Sequence, residues 1–386
     1  MPELKNLTPF PNFRYYSRDN ENREFGIVIV KATYEIADDG MLVAAEEQAP
    51  MLFTDKCHGE VNVSSLWHPS DLVPYKPATD IIVNAVARSP DGKPSPSWEC
   101  GLSVERNDQV LLEKRLRVTG PRWWRPIWKR ELSGDEISNW RDHRRLFDRW
   151  KLSEPNPILE LPLRYENAFG GEIETGVDDE GNPQFDTDHQ NPIGVGKIDQ
   201  EHSDHTKDIP APQIEDAGEP IDTPYKNYTP AGFGPIPAAW LPRRPLGGTY
   251  DKEWAENVWP DWPKDYSFEY HNSAHRSLVM KPFLEGNETF SLSGIVRGRS
   301  IIKATLPPKF PSVDLVTPEG NIFRSNMVLD TVFFDFGTRN LRDWRVFLTW
   351  RITFEPHRYT LAVIHVTNDY HEELDQPNVH SKELQV

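Results

Sequence analysis

Five aspartates stand where a carboxylate could do chemistry: Asp71, Asp80, Asp251, Asp261 and Asp265. Two carboxylates flanking a glycosidic bond would supply the acid and the nucleophile or base of a hydrolase. All five lie close to Pro, Gly or Thr, the setting in which aspartates cap helices or close Asx-turns, and no two have a spacing that assigns them to one face. His202-Ser203-Asp204-His205, with His189 upstream, could ligate a metal, but this acidic, polar stretch reads as a loop bearing surface histidines. Cys57 and His58 are adjacent, so on a strand they would point to opposite faces and could not act as a nucleophile pair. Asn191 to Gly196 has glycines without the strand-to-helix flanks of a dinucleotide turn, and neither GxxxxGK[ST] nor GxSxG occurs. The expectation is no catalytic set, no metal and no cofactor.

Aromatic residues in rigid loops are the more informative pattern. Arg122-Trp123-Trp124-Arg125-Pro126-Ile127-Trp128-Lys129-Arg130 interleaves rings and cations, which suits base stacking, internal cation–π contacts or an interface anchor. The net charge of -17 argues against nucleic acid and anionic membranes. From Pro230 to Asp265, glycine and proline alternate with Phe233, Trp240, Tyr250, Trp254, Trp259 and Trp262. A long irregular segment this aromatic is ordered, and such loops are usually functional. Trp123, Trp124, Arg125, Trp128, Phe233, Trp240, Tyr250 and Trp254 are the candidate partner-binding residues, with core packing as the alternative for each. Charge is uneven: 172–222 holds fifteen acidic and two basic residues, while 114–151 holds twelve basic ones. The two stretches either face each other within the fold or steer a partner.

The positioning elements read as β at both ends. Strand candidates are Phe25–Ile36, closed by an Asp38-Asp39-Gly40 turn, Asp80–Ala87, and a hairpin of Trp98–Glu105 with Gln109–Val118. Towards the C-terminus they are Thr289–Val296, Ile301–Leu306, Ser312–Val316, Met327–Phe334, Trp344–Phe354 and Tyr359–Thr367. Ser133 with Glu136 forms a capping box, and Ile137, Trp140, Leu146, Phe147 and Trp150 fall near helical spacing, which predicts a helix of two to four turns. The expected fold is mainly β: antiparallel sheets from the N- and C-terminal regions, a long irregular middle and few helices. The regions are 1–131 (β-rich), 132–154 (basic helical insert), 155–285 (irregular) and 286–386 (β-rich), within one two-lobed body or several domains. The tail from Asn368 reads as frayed. The N-terminus lacks the apolar run of a signal peptide, and no apolar stretch is long enough to span a bilayer, so a soluble cytoplasmic protein is expected.

Several segments in order carry a family resemblance. They are Phe25 to Ile36 with Asp39-Gly40, Ser70 to Asp80 (SDLVPYKPATD), Val118 to Trp123, Leu161 to Gly171 (LPLRYENAFGG), Asn191 to Gly196, Pro230 to Pro235, Gly248-Thr249-Tyr250-Asp251 and Leu348-Thr349-Trp350-Arg351. Together they resemble a bacterial domain-of-unknown-function family encoded beside type VI secretion spike and effector genes. The chain departs from that pattern at Cys57-His58-Gly59-Glu60 and in the basic stretch 133–151. The resemblance implies a cytoplasmic adaptor or chaperone, not an enzyme, that loads a toxic effector onto the VgrG spike or its PAAR tip. A carbohydrate-active hydrolase and a structural component of the secretion machine are the alternatives.

Overall fold

The structure is a computed structural model that describes residues 1–298 and 301–367. Its centre is the strand Glu24–Ile36, in which every residue from Phe25 to Tyr34 is buried. A strand covered on both faces needs no polar alternation, which accounts for its unbroken apolar, β-branched run. It belongs to an eight-stranded sheet in the order Glu160–Pro162, Thr79–Arg88, Val328–Phe336, Arg345–Phe354, Glu24–Ile36, Asn12–Arg18. Leu42–Ala44 joins beside Glu24–Ile36, and Val279–Met280 joins beside Thr79–Arg88. N- and C-terminal strands are thus interleaved in one sheet. Pairing is antiparallel except between Thr79–Arg88 and Val328–Phe336. The predicted turn is present: Gly40, at φ 86°, lets the chain reverse into Leu42–Ala44.

A five-stranded sheet runs Ile214–Asp216, Gln109–Thr119, Ser97–Arg106, Thr289–Ser293, Ile301–Thr305. Its central hairpin turns on Asn107 and Asp108, both left-handed at φ 49° and 62°, the backbone a two-residue turn requires. A four-stranded sheet holds Glu3–Asn6, Leu361–Thr367, Phe310–Val316 and Ile322–Asn326. Val30, Ala32, Leu348 and Trp350 of the large sheet share one apolar core with Leu102, Leu116 and Phe290 of the second sheet and Val313 and Ile364 of the third. The mainly β, mostly antiparallel class read from the sequence is the fold observed.

The helix opening at Ser133 is shorter than predicted. Its capping box forms, with Ser133 and Glu136 bonded in both directions, but the helix spans only Gly134–Ser138. None of its five residues is buried, so no packed face sustains further turns. Phe147–Leu152 is a strand, antiparallel to Trp123–Trp128. In that extended form Trp150 packs with Trp124, Phe169 and Tyr228 in a separate small core. The acidic and basic stretches face each other: Arg122 bonds Glu215 at 2.6 Å, Arg125 pairs with Asp208 at 3.3 Å, and Lys114 lies 3.9 Å from Asp216. The tail from Asn368 lies outside the described residues.

Candidate functional site

The face of the large sheet opposite the main core carries charge. Lys31 Nζ donates to Asp71 Oδ2 at 2.7 Å, and Lys76 Nζ donates to Asp80 Oδ2 and to Thr331 Oγ1, both at 2.8 Å. The Thr331 hydroxyl donates to Asp330 Oδ1 at 2.8 Å, and Arg351 Nε donates to Asp330 Oδ2 at 2.6 Å. All six charged groups are buried, three of each sign. Asp71 also accepts from the Leu52 amide, and Asp80 from the Ser273 amide and the Asn272 side chain. The Arg351 guanidinium closes the ring onto the Val73 carbonyl. Segments 71–80 and 272–273 are thereby tied to the sheet. Asp71 and Asp80 are therefore ion-pair acids rather than turn caps. His68, 3.3 Å from Lys31, is held neutral: burial first, then the Lys31 charge, push it down to about 4.

The Pro/Gly loop is clamped on Tyr165. Gly232 lies so close that a Cβ there would come within 2.8 Å of the Tyr165 ring. The Tyr165 hydroxyl donates to the Gly234 carbonyl at 3.2 Å, and the Trp240 ring stands edge-on at 5.8 Å. Phe233 is buried, and its carbonyl accepts from the Val83 amide at 2.9 Å. Asn191 Nδ2 holds the other side of this knot, donating to the Tyr165 and Phe169 carbonyls at 2.8 and 2.9 Å. Further along, Asp251 caps the helix Lys252–Asn257 by accepting from the Trp254 amide at 2.9 Å. Asp265 accepts from the Thr249 amide and hydroxyl at 2.9 and 2.7 Å. The backbone carbonyl of Asp261 accepts from Trp254 Nε1. Four of the five candidate carboxylates thus hold structural partners through their side chains.

His205 is no surface histidine. It is buried among Trp140, Phe147 and Trp150, with ring centroids at 4.8, 4.3 and 5.4 Å. Trp128 and Phe147 pack on the same cluster. The aromatic residues here form a wall around an imidazole rather than a metal site, and among the described residues no group of three His, Cys, Asp or Glu is placed to hold a metal.

Between the clamped loop and the 269–281 segment opens a cleft of about 760 Å³. Leu111, Leu112, Ile236, Leu246, Val279 and Met280 are among its apolar lining. Its polar lining includes Arg243, Arg276, Lys281, Glu269 and the pair His275 and Ser277. Arg243 is fixed by donating to the Tyr270 carbonyl at 3.1 and 2.8 Å. This volume and lining are those of a ligand-sized apolar recess with a few placed polar groups. The cleft draws on four separate stretches of sequence, 111–112, Gln190, 229–246 and 269–281, so no local signal announced it.

The eight candidate partner residues divide. Trp124, Phe233 and Trp240 are core residues, reachable by a partner only if the fold opened. Trp123 and Trp128 are half-buried, and Arg125 is exposed and paired with Asp208. Tyr250 is 56% exposed, and half-buried Trp254 stands edge-on to it at 4.7 Å. Trp259, 68% exposed, is not among the eight; its place in the Trp-Pro-Asp-Trp-Pro run was the available signal. Tyr250 and Trp259 are thus exposed, with Trp254 half-buried against Tyr250, on the loop that also contributes residues 236–246 to the cleft.

The fold and the cleft define a β-rich protein with a large, mostly apolar surface recess. The chain belongs to the family described as an uncharacterized protein conserved in bacteria (DUF2169), which it matches over residues 21–351. No curated protein and no solved structure matches it. Among the described residues no helix is long and apolar enough to cross a membrane.

Proposed function

We propose that this protein is a non-enzymatic adaptor or chaperone of type VI secretion, binding an effector and promoting its loading onto the VgrG/PAAR spike. The observation that carries the reading is the 760 Å³ cleft, together with Tyr250 and Trp259 exposed further along the loop that contributes to its lining. An apolar recess on a loop that also exposes aromatic side chains suits the shielding of a partner's apolar segment, since apolar and aromatic anchors in desolvated pockets concentrate binding energy. The order of the family-like segments supports the secretion setting. The engagement of Asp71, Asp80, Asp251 and Asp265 in ion pairs and caps weighs against the hydrolase alternative. The test is co-expression with a type VI effector and spike proteins of the same genome, followed by affinity capture and size exclusion. A stable complex, with the effector poorly soluble alone, is expected. Failure of the effector and of the spike proteins to co-purify, with no change in effector solubility, would overturn the proposal.

A further inference from the structure

Three buried lysines can be compared within this one fold. Lys31 and Lys76 each bond a buried carboxylate, at 2.7 and 2.8 Å. Lys114 is equally buried but lacks such a bond. Its Nζ donates to Ser277 Oγ at 3.0 Å and lies 3.4 Å from His275 Nδ1, both neutral acceptors. Its ion-pair carboxylate among the described residues is Asp216, 3.9 Å away and about half exposed. A buried cation without a hydrogen-bonded anion is costly, and this fold supplies one for its other two buried lysines.

The shortfall lies at the cleft. Ser277 and His275 are part of its lining, and Arg276 lies between them in sequence, exposed and without an ion pair among the described residues. His275 cannot supply the missing negative charge, because an imidazole is either neutral or cationic, and here it stays neutral. Burial first, then the Lys114 and Arg276 charges, push it down to about 3. Burial likewise lowers Lys114 itself. The result is a localised positive pole in the lining of an apolar recess, on a chain whose net charge is -17.

We infer that the cleft binds an apolar segment of the partner polypeptide that carries an aspartate or glutamate side chain, which seats against Ser277 and Arg276, with Lys114 bonded to Ser277 behind them. The inference rests on the adaptor reading and narrows it. The carboxylate would accept from the Ser277 hydroxyl, which in the free protein lies 2.8 Å from His275 Nδ1, and from the Arg276 guanidinium, bringing Lys114 a more sheltered counter-charge than the half-exposed Asp216. Charge-assisted bonds of this kind are roughly twice as strong as neutral ones, and they fix the register of an otherwise sequence-tolerant apolar contact.

The test uses the full chain and fluorescein-labelled 15-residue peptides tiled across a co-purifying effector, with binding read by anisotropy. The expected result is that every bound peptide has an Asp or Glu within an apolar stretch, and that Glu→Gln or Asp→Asn in the peptide weakens binding at least tenfold. Arg276→Ala, at an exposed position, and Lys114→Met should each reduce that tenfold discrimination to less than threefold. Bound peptides indifferent to the amide exchange would overturn the inference and leave the adaptor reading intact. Peptides that all fail while the intact effector co-purifies would also overturn it alone. A dimer in sedimentation velocity that Arg276→Ala dissolves would overturn it in favour of a second copy as occupant. If no effector co-purifies, the adaptor reading falls, and this inference with it.

Discussion

Replacing Asp71 with Asn removes one anion from a pair whose other member cannot reach water. Lys31 is 1% exposed and Asp71 6%, and their bond is 2.7 Å. Breaking a buried pair from one side costs about 3–5 kcal/mol, because the remaining charge stays desolvated. Asn preserves shape and can still accept from the Leu52 amide, so the loss isolates the charge. His68, the other neighbour of Lys31, is held neutral and offers no anion. Lys31→Met in the same chain removes the stranded cation, so the double variant should regain about 2 kcal/mol of what Asp71→Asn loses. Urea unfolding followed by tryptophan fluorescence measures all four chains of this cycle. An Asp71→Asn variant within 1 kcal/mol of the parent, or single losses that simply add, would refute the claim that these family segments are joined by a buried electrostatic network.

Further expectations follow from the same geometry. Gly170→Ala should destabilise by about 3 kcal/mol or more, because φ is 150° and the new Cβ would lie 2.2 Å from the Asn191 carbonyl oxygen; urea midpoints test this, and near-parental stability would contradict it. Trp240→Ala should cost about 3–5 kcal/mol, while Trp259→Ala should stay within about 0.5 kcal/mol yet weaken effector capture, which separates core from contact surface. The buried histidines give a pH dependence. His68 and His275, lowered to about 4 and about 3, stay neutral in the fold while the unfolded chain protonates near 6.5. Their contribution is complete above about pH 6.5 and is lost as pH falls towards those folded values, at about 1.4 kcal/mol per pH unit per histidine. Urea midpoints at pH 7.5 and 5 should show the drop, and His68→Asn should reduce it; equal midpoints would contradict the assignment.

Much of the sheet was legible because burial on both faces writes itself as β-branched runs, as in Phe25–Ile36 and Asp80–Ala87. The Asn107-Asp108 hairpin was legible because few residues tolerate its left-handed turn. The Phe147–Leu152 strand was not. Its tryptophan and phenylalanine sit near helical spacing, and only an earlier partner strand, Trp123–Trp128, decides in favour of extension. Asp71 and Asp80 of SDLVPYKPATD read as turn chemistry because Lys31, Asn272 and Ser273, which bond them, are distant in sequence. The cleft and the environment of Lys114 depend on distant segments meeting, which no periodicity reports.

The most direct measurement is quantitative co-purification of a type VI effector with the parent chain and with a Leu246→Asn/Met280→Asn variant, whose substitutions strip apolar surface from the cleft wall. Circular dichroism and urea midpoints establish that the variant is folded. Capture by the parent and at least a tenfold loss in the folded variant is the expected result. Equal capture by both would show that the cleft is not where the partner binds, and would contradict the central claim.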